Sequence, residues 1–275
     1  MRAILYACVV LAACGSNVRP GGGGPDGGGG GGTDGSGNGS GNGSNGGQVY
    51  VYAQTASTLY RVDPDSLAIT KVGDFAWPSS VVSDQMTDIA IDKNGQMIGV
   101  SYSRVYRVDP TNAACALLSS SLGGSFNGLS FVPAAMLGMT GDDVLVGTEN
   151  NDGKVFKIDP MTGAATQVGN MGGSFVSSGD LVAVQGFGTV QTVTGSSSDV
   201  LATLAPQTFS ATAVGSGTGF GMIWGVAFWK NKIYGFTDGG DFILIDPMTG
   251  AASRVTSTGQ EWWGAAVTTL APVIQ

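Results

Sequence analysis

The sequence predicts an all-β protein built from five four-stranded units, and the main evidence is one phrase that returns at regular intervals. An apolar run of about five residues ends in Asp-Pro four times, and a weaker fifth copy ends in Ala-Pro. The prolines lie at positions 64, 110, 160, 206 and 247, with spacings of 46, 50, 46 and 41 residues. Repeats of about 40–50 residues with four strands are typical of β-propeller blades. We therefore predict a five-bladed β-propeller.

Each repeat contains four short apolar runs separated by turn residues. In the second repeat, strands are predicted over residues 87–92, 96–102, 104–108 and 114–119. Asn94-Gly95 separates the first two strands, because Asn-Gly readily adopts positive φ in a hairpin turn. Runs of this length between turn signals indicate strands. No stretch of comparable length places apolar residues at helical spacing.

The Asp-Pro phrase is predicted to form the tight turn between the third and fourth strands. Proline fixes φ, and the glycine in the two Asp-Pro-Met-Thr-Gly copies suits the left-handed position. An aspartate before proline can accept hydrogen bonds from backbone amides ahead of it. Recurrence at one turn favours a structural role over a catalytic one for the four aspartates, which are Asp63, Asp109, Asp159 and Asp246. Ala205 replaces the aspartate in the fifth copy, which predicts a weaker turn there.

The two ends of the repeat region each supply part of one blade. Residues 48–52 resemble the second strand of other repeats, and residues 263–267 resemble a first strand. The N-terminal part therefore brings three strands and the C-terminal part brings the fourth. We predict that these strands pair and close the ring, because closure removes an exposed sheet edge.

Residues 1–13 have the features of a secretory signal peptide. Arg2 precedes a short apolar segment, which is too short to span a membrane, and small residues follow. The run Leu11-Ala12-Ala13-Cys14 resembles the lipobox of bacterial lipoproteins. That resemblance implies cleavage before Cys14 and attachment to a lipid bilayer through acyl chains on Cys14. Gly15, which is not aspartate, favours the outer membrane of a two-membrane cell envelope, on either its periplasmic or its surface face.

Residues 14–47 are predicted to be the acylated cysteine followed by a flexible tether. Glycine makes up seventeen of the 28 residues from 20 to 47. A segment of this composition cannot bury enough apolar area to fold. The remaining residues, 48–275, are enough for one small propeller and no second domain.

Composition excludes several functions. The chain has no histidine, which removes Ser-His-Asp and Cys-His catalytic systems and histidine-bearing zinc sites. The formal net charge of −8 argues against a nucleic-acid partner. Cys115 is the one cysteine of the repeat region and aligns with apolar positions, so we predict a buried free thiol. No cofactor or metal is predicted.

Carboxylates near the propeller axis are the weak candidates for catalysis. The first strand of a blade lines the central channel, and its second aligned position alternates between glycine and aspartate. Asp88 and Asp180 carry the charges, and Glu261 lies just before the last strand. One interpretation is that the two aspartates only cap backbone amides, and a second is that Asp88 and Asp180 contact a cation or another ligand. Another is a carbohydrate-active hydrolase that uses a pair of carboxylates, as in the arabinanase-like five-bladed enzymes.

Tryptophans near the last two first strands are the candidate ligand-binding residues. Trp224 and Trp263 occupy equivalent positions, and Trp262 is adjacent. Tryptophan offers a flat apolar face to a glycan or peptide. The other blades place Thr87, Asn127 and Gly179 there. The sequence therefore predicts a mouth with one apolar side and one polar side close to Asp88 and Asp180, although packing between blades would also explain the tryptophans.

The repeat as a whole resembles the propeller repeats of bacterial secreted and lipid-anchored proteins, and more loosely the YVTN and WD40 types. The resemblance rests on phrases such as Leu59-Tyr60-Arg61-Val62-Asp63-Pro64 and covers residues 48–275. It implies the fold and an envelope location but no activity. The sequence favours a binding or scaffolding role over catalysis, with the hydrolase as the alternative.

Overall fold

The structure is a computed structural model that describes residues 50–150 and 152–274. These residues form five four-stranded antiparallel sheets, so the prediction of a five-bladed β-propeller is confirmed. A short 3-10 helix, Ala134–Leu137, lies between two strands of the third blade. The predicted signal peptide and tether lie outside the described residues.

The described part of the chain contains twenty strands. The first blade contains β1 (Val51–Gln54), β2 (Thr58–Val62) and β3 (Ile69–Asp74). The second contains β4 (Asp88–Ile91), β5 (Met97–Val100), β6 (Val105–Val108) and β7 (Cys115–Ser119). The third contains β8 (Phe126–Val132), β9 (Val144–Glu149), β10 (Lys154–Ile158) and β11 (Ala165–Asn170).

The fourth and fifth blades follow the same pattern. The fourth contains β12 (Ser177–Val184), β13 (Gly188–Val193), β14 (Val200–Leu204) and β15 (Ala211–Val214). The fifth contains β16 (Ile223–Trp229), β17 (Lys232–Thr237), β18 (Asp241–Ile245) and β19 (Ala252–Ser257). The last strand, β20 (Gly264–Ala266), completes the first blade.

The first strand of every blade lies on the inside of the ring. These inner strands contact one another in the order β20, β4, β8, β12 and β16, and β16 contacts β20 again. Buried apolar side chains fill the spaces between neighbouring blades. Because each blade packs its two faces against neighbours, the core is shared by the whole ring.

The ring closes through pairing between the two ends of the domain, as predicted. β20 runs antiparallel to β1, with Ala266 opposite Tyr52 and Gly264 opposite Gln54. The backbone N–H of Trp263 also donates to the carbonyl of Gln54, with an N–O distance of 2.8 Å. The strand begins at Val51, slightly later than the predicted start.

The Asp-Pro turns have one backbone design in all five blades. The carbonyl of the first residue accepts the N–H of the residue four positions later, which has positive φ in every copy. That later residue is glycine in two copies, and in the others it is Leu67, Ala113 or Phe209. The carboxylate of each aspartate accepts backbone N–H groups just ahead of it, which fits the structural role proposed from the sequence.

The fifth copy keeps this turn without its aspartate. The N–H of Phe209 donates to the carbonyl of Ala205 at 2.9 Å, and the Phe209 ring is buried between the third and fourth blades. The N–H of Gln207 donates to the carbonyl of Met136 instead of to a carboxylate. Burial of an aromatic ring and a contact from the 3-10 helix thus stabilise this turn.

Cys115 lies in β7, where only 8% of its surface is exposed. It forms no disulfide. Burial raises the pKa of its thiol to about 12, so the reactive thiolate is scarce at neutral pH. These features match the expectation of a buried, inert cysteine.

Truncation after Gly259 tests the closure. Removal of β20 would leave β1 without its partner and would expose buried surface on Ile89 and Phe236 in the neighbouring blades. We expect the truncated chain to aggregate and to lose cooperative thermal unfolding, because unpaired strand edges associate. Circular dichroism and size-exclusion chromatography measure both effects. A soluble truncated chain that unfolds cooperatively would contradict the closure argument.

Candidate functional site

A cavity of about 460 Å³ opens at the mouth of the ring, where the inner strands begin. Its volume lies within the usual range for small-molecule sites. Residues at or beside the starts of all five inner strands line it, and hairpins between second and third strands complete it. The lining residues that the following paragraphs use are Tyr102, Asn127, Asn150, Ser178, Asp199, Met222, Trp224 and Trp263.

One wall of the cavity is aromatic. The rings of Trp224 and Trp263 lie 6.3 Å apart and meet at 85°, and the rings of Tyr102 and Trp263 lie 6.4 Å apart and meet at 77°. Tyr102 is 57% exposed and Met222 is 54% exposed, so both present apolar atoms to solvent at this wall. Successive rings are nearly perpendicular, and the wall therefore has concave corners instead of a single flat shelf.

The opposite wall is polar and held by hydrogen bonds. The side-chain amide of Asn127 donates to Asn150 at 3.2 Å and accepts from the Ser177 hydroxyl at 3.1 Å. Beneath them, the amide of Gln191, which is fully buried, donates to Ser177 and Thr148 at 2.8 Å each. These bonds fix the orientation of the polar groups before any ligand arrives.

Asp199 is the acidic group of this wall, and the sequence reasoning missed it. Only 7% of Asp199 is exposed, and its Oδ2 atom accepts the backbone N–H of Ile223 at 2.8 Å. Burial raises the pKa of its carboxyl. The hydroxyl of Ser178 lies close enough to lower that pKa, yet its buried oxygen has no hydrogen-bond partner of ordinary geometry in the described chain.

The structure separates the three tryptophans that the sequence grouped together. Trp224 and Trp263 are half-buried and line the cavity. Trp262 is fully buried between blades, where its ring centroid lies 5.1 Å from Tyr60 and 5.4 Å from Phe236. Trp262 is therefore a packing residue, and only Trp224 and Trp263 of the three candidates line the cavity.

Asp88 and Asp180 lie at the axis beneath the cavity and are fully buried. The Oδ1 atom of Asp180 accepts the N–H of Leu181 at 2.6 Å and that of Leu129 at 3.2 Å. Its Oδ2 atom accepts the N–H of Val226 at 2.9 Å and, more weakly, that of Ala265 at 3.4 Å. One carboxylate thus joins the inner strands of four blades. The capping interpretation predicted bonds to backbone amides, and the structure shows that these amides come from several blades.

Burial and a neighbouring charge disfavour the ionised form of Asp88. Burial raises the pKa of Asp88 well above its ordinary value, and the charge of Asp180 raises it further. Burial raises the pKa of Asp180 too, while its backbone donors act in the opposite direction. Among the described residues, the Oδ2 atom of Asp88 has no hydrogen-bond partner, so its charged form gains no stabilisation there.

The three candidate catalytic carboxylates do not share a cavity. Asp88 and Asp180 have no exposed surface, whereas Glu261 is exposed and lines a separate shallow depression beside Gln260. A glycosidase needs two carboxyl groups on either side of one substrate bond. This geometry gives the hydrolase alternative no support.

Other features of the described residues bear on the site. Residues 50–150 and 152–274 contain no cluster of three or more metal-binding side chains of the histidine, cysteine, aspartate or glutamate types. Within the same ranges, no helix is long and apolar enough to cross a membrane.

Comparisons with known proteins leave the family open. No protein-family model matches the chain, and no curated protein matches its sequence. The five antiparallel sheets by themselves establish the five-bladed fold. The resemblance of the repeat to the propeller repeats of secreted proteins stays a prediction.

The raised pKa of the buried Asp88 carboxyl predicts a pH effect on stability. A carboxyl whose pKa is raised in the folded state favours folding below its unfolded value, near pH 4, and this advantage is lost as the pH rises. Asp88→Asn mimics the protonated form, because its amide oxygen can accept the Ile89 N–H and its nitrogen can donate to Asp180. As the pH rises above about 4, the wild type should therefore lose stability relative to Asp88→Asn, by up to about 1.4 kcal/mol per pH unit.

Urea unfolding of both proteins between pH 5 and 9 measures this difference, and other titrating groups cancel in the comparison. Asp180→Asn is the contrasting variant, because an amide nitrogen would face backbone N–H donors. We expect it to cost about 3 kcal/mol or more in unfolding free energy. A constant difference between the wild type and Asp88→Asn across this pH range would show that Asp88 is not the protonated partner.

Proposed function

We propose that this chain is a lipid-anchored β-propeller that binds a ligand in the cavity at its mouth. The observation that carries the proposal is the cavity's construction: exposed aromatic rings face a polar wall whose hydrogen bonds are already formed. Pure packing would bury Trp224 and Trp263 as it buries Trp262. Partly exposed aromatic groups beside ordered polar groups are typical of ligand sites.

The position of the domain's first strand is compatible with display of the cavity away from an anchor. β1 pairs with β20 so that Gln54 lies beside Gly264, next to the mouth, and Tyr52 lies beside Ala266, farther from it. The chain therefore enters the domain at the face opposite the cavity.

Anchoring at Cys14 and an envelope location remain part of the proposal. The lipobox-like run before Cys14 supports acylation, and the glycine-rich segment after it supports a tethered domain. More than one acyl chain on a single residue gives stable membrane attachment, where one chain is marginal. The outer membrane is the proposed destination because Gly15 follows Cys14.

The double variant Trp224→Ala/Trp263→Ala tests the binding site. We expect it to lose binding to glycan and peptide arrays while it unfolds cooperatively within a few degrees of the wild type, because half-exposed side chains contribute less to the core. Trp262→Ala is the matched control, since the neighbouring tryptophan is fully buried. It should lose about 3–5 kcal/mol of stability.

Array binding and thermal unfolding, measured on the same preparations, separate the two effects. If the double variant unfolds as Trp262→Ala does, the two residues belong to the core and the proposed site loses its main support. Unchanged array binding by a folded double variant would also contradict the proposal.

Cys14→Ser tests the anchor. Serine offers no thiol for acylation, so we expect either release of the protein from the membrane fraction or accumulation of an uncleaved precursor. Cell fractionation and mass measurement of the product distinguish these outcomes. A correctly cleaved variant that still sediments with membranes would mean that the attachment lies elsewhere.

A further inference from the structure

We propose that the mouth cavity recognises an organic ammonium group, with Asp199 as the counter-ion and the aromatic wall as the surface that surrounds the cation. This inference rests on the proposed function and specifies the chemistry of its ligand. Three independent features of the cavity lead to it: the charge of its lining, the burial of Asp199 and the angles between its rings.

The charge of the lining favours a cation over an anion. Asp199 is the acidic residue among the described lining residues, and none of them is lysine or arginine. An anionic ligand would meet the carboxylate without a compensating positive group. A cation would meet an opposite charge in a partly desolvated place, where Coulomb attraction is stronger than in bulk water.

The burial of Asp199 favours pairing of its charge with a cation. More than nine-tenths of the residue is buried, and its described hydrogen-bond donor is the backbone N–H of Ile223. Burial of a carboxylate is costly unless the charge is paired and hydrogen-bonded. The hydroxyl of Ser178 lies beside Asp199, and its buried oxygen has no hydrogen-bond partner of ordinary geometry among the described residues, so it is a second polar atom that a ligand's N–H or O–H could contact.

The aromatic geometry favours a compact cation over a flat sugar face. The Trp224 and Trp263 rings meet at 85°, and the Tyr102 and Trp263 rings meet at 77°. Perpendicular rings form corners in which a rounded cation contacts more than one π face, as in aromatic cages for quaternary ammonium groups. A pyranose ring would need one open, flat face. Met222 adds a polarisable sulfur beside these rings.

Choline and Nε-trimethyllysine are the cationic probes, and 3,3-dimethylbutan-1-ol is the neutral probe of the same shape as choline. Tryptophan fluorescence and isothermal titration calorimetry measure their binding to the wild type. We expect saturable binding of at least one cation and at least ten-fold weaker binding of the neutral alcohol. Free choline and the lysine derivative distinguish a small metabolite from a modified protein side chain as the source of the group.

Asp199→Asn is the informative variant, because its amide oxygen can still accept the Ile223 N–H while the charge is removed. It should bind the cation at least ten-fold more weakly than the wild type. Asp142→Asn removes an equal charge from a side chain that is 90% exposed and outside the cavity lining, so its binding should be unchanged. If Asp199→Asn fails to fold, the comparison of choline with its neutral analogue on the wild type still decides the question.

The inference is overturned if neither cation binds the wild type, if the neutral alcohol binds as tightly as choline, or if folded Asp199→Asn binds as well as the wild type. Binding of neutral probes that is lost in Trp224→Ala/Trp263→Ala would leave the mouth site standing and reject only the cationic ligand. Array and probe binding that survive in the folded double tryptophan variant would reject the mouth site as well.

Discussion

The carboxylate of Asp180 is the contact on which the centre of the ring depends. It accepts N–H groups from β8, β12 and β16, more weakly from β20, and its charge raises the pKa of Asp88 in β4, so it interacts with all five inner strands. Glycines make room for this arrangement: a Cβ atom at Gly225 would lie 2.6 Å from the carbonyl carbon of Gly264. Polar groups therefore fill the axis, and they close the mouth cavity at its base.

The blade that departs most from the repeat supplies the charged residue of the polar wall. The fourth blade contains the copy of the phrase that lacks aspartate, and it also contributes Ser178, Thr194 and Asp199 to the cavity. The fifth blade and β20 contribute the tryptophans. The repeated sequence thus determines the ring of blades, and the differences between its copies give the mouth an apolar side and a polar side.

Much of the fold was predictable because the Asp-Pro phrase marks the same turn in each blade and because Asn-Gly and glycine mark the hairpins. The positive φ at Leu67, Ala113 and Phe209 was not predictable from the sequence, since packing and backbone hydrogen bonds impose it on residues that do not prefer it. Trp262 and Trp263 are adjacent in sequence, and only the packing of Tyr60 and Phe236 shows which one is buried. Asp199 was not predicted, because the candidates from the sequence all lie on or next to the inner strands. In an antiparallel blade the hairpin between the second and third strands reaches the same face, and that rule would have found it.

The pairing of β1 with β20 has a consequence for how the chain reaches its native state. The two strands are separated by nearly the whole domain, so their contact is among the most distant in sequence that the molecule makes. Loop-closure entropy makes such contacts late events in folding. During synthesis, β1 to β3 emerge first and wait without an inner strand until residues 264–266 follow. The ring therefore closes only after residues 264–266 have been synthesised.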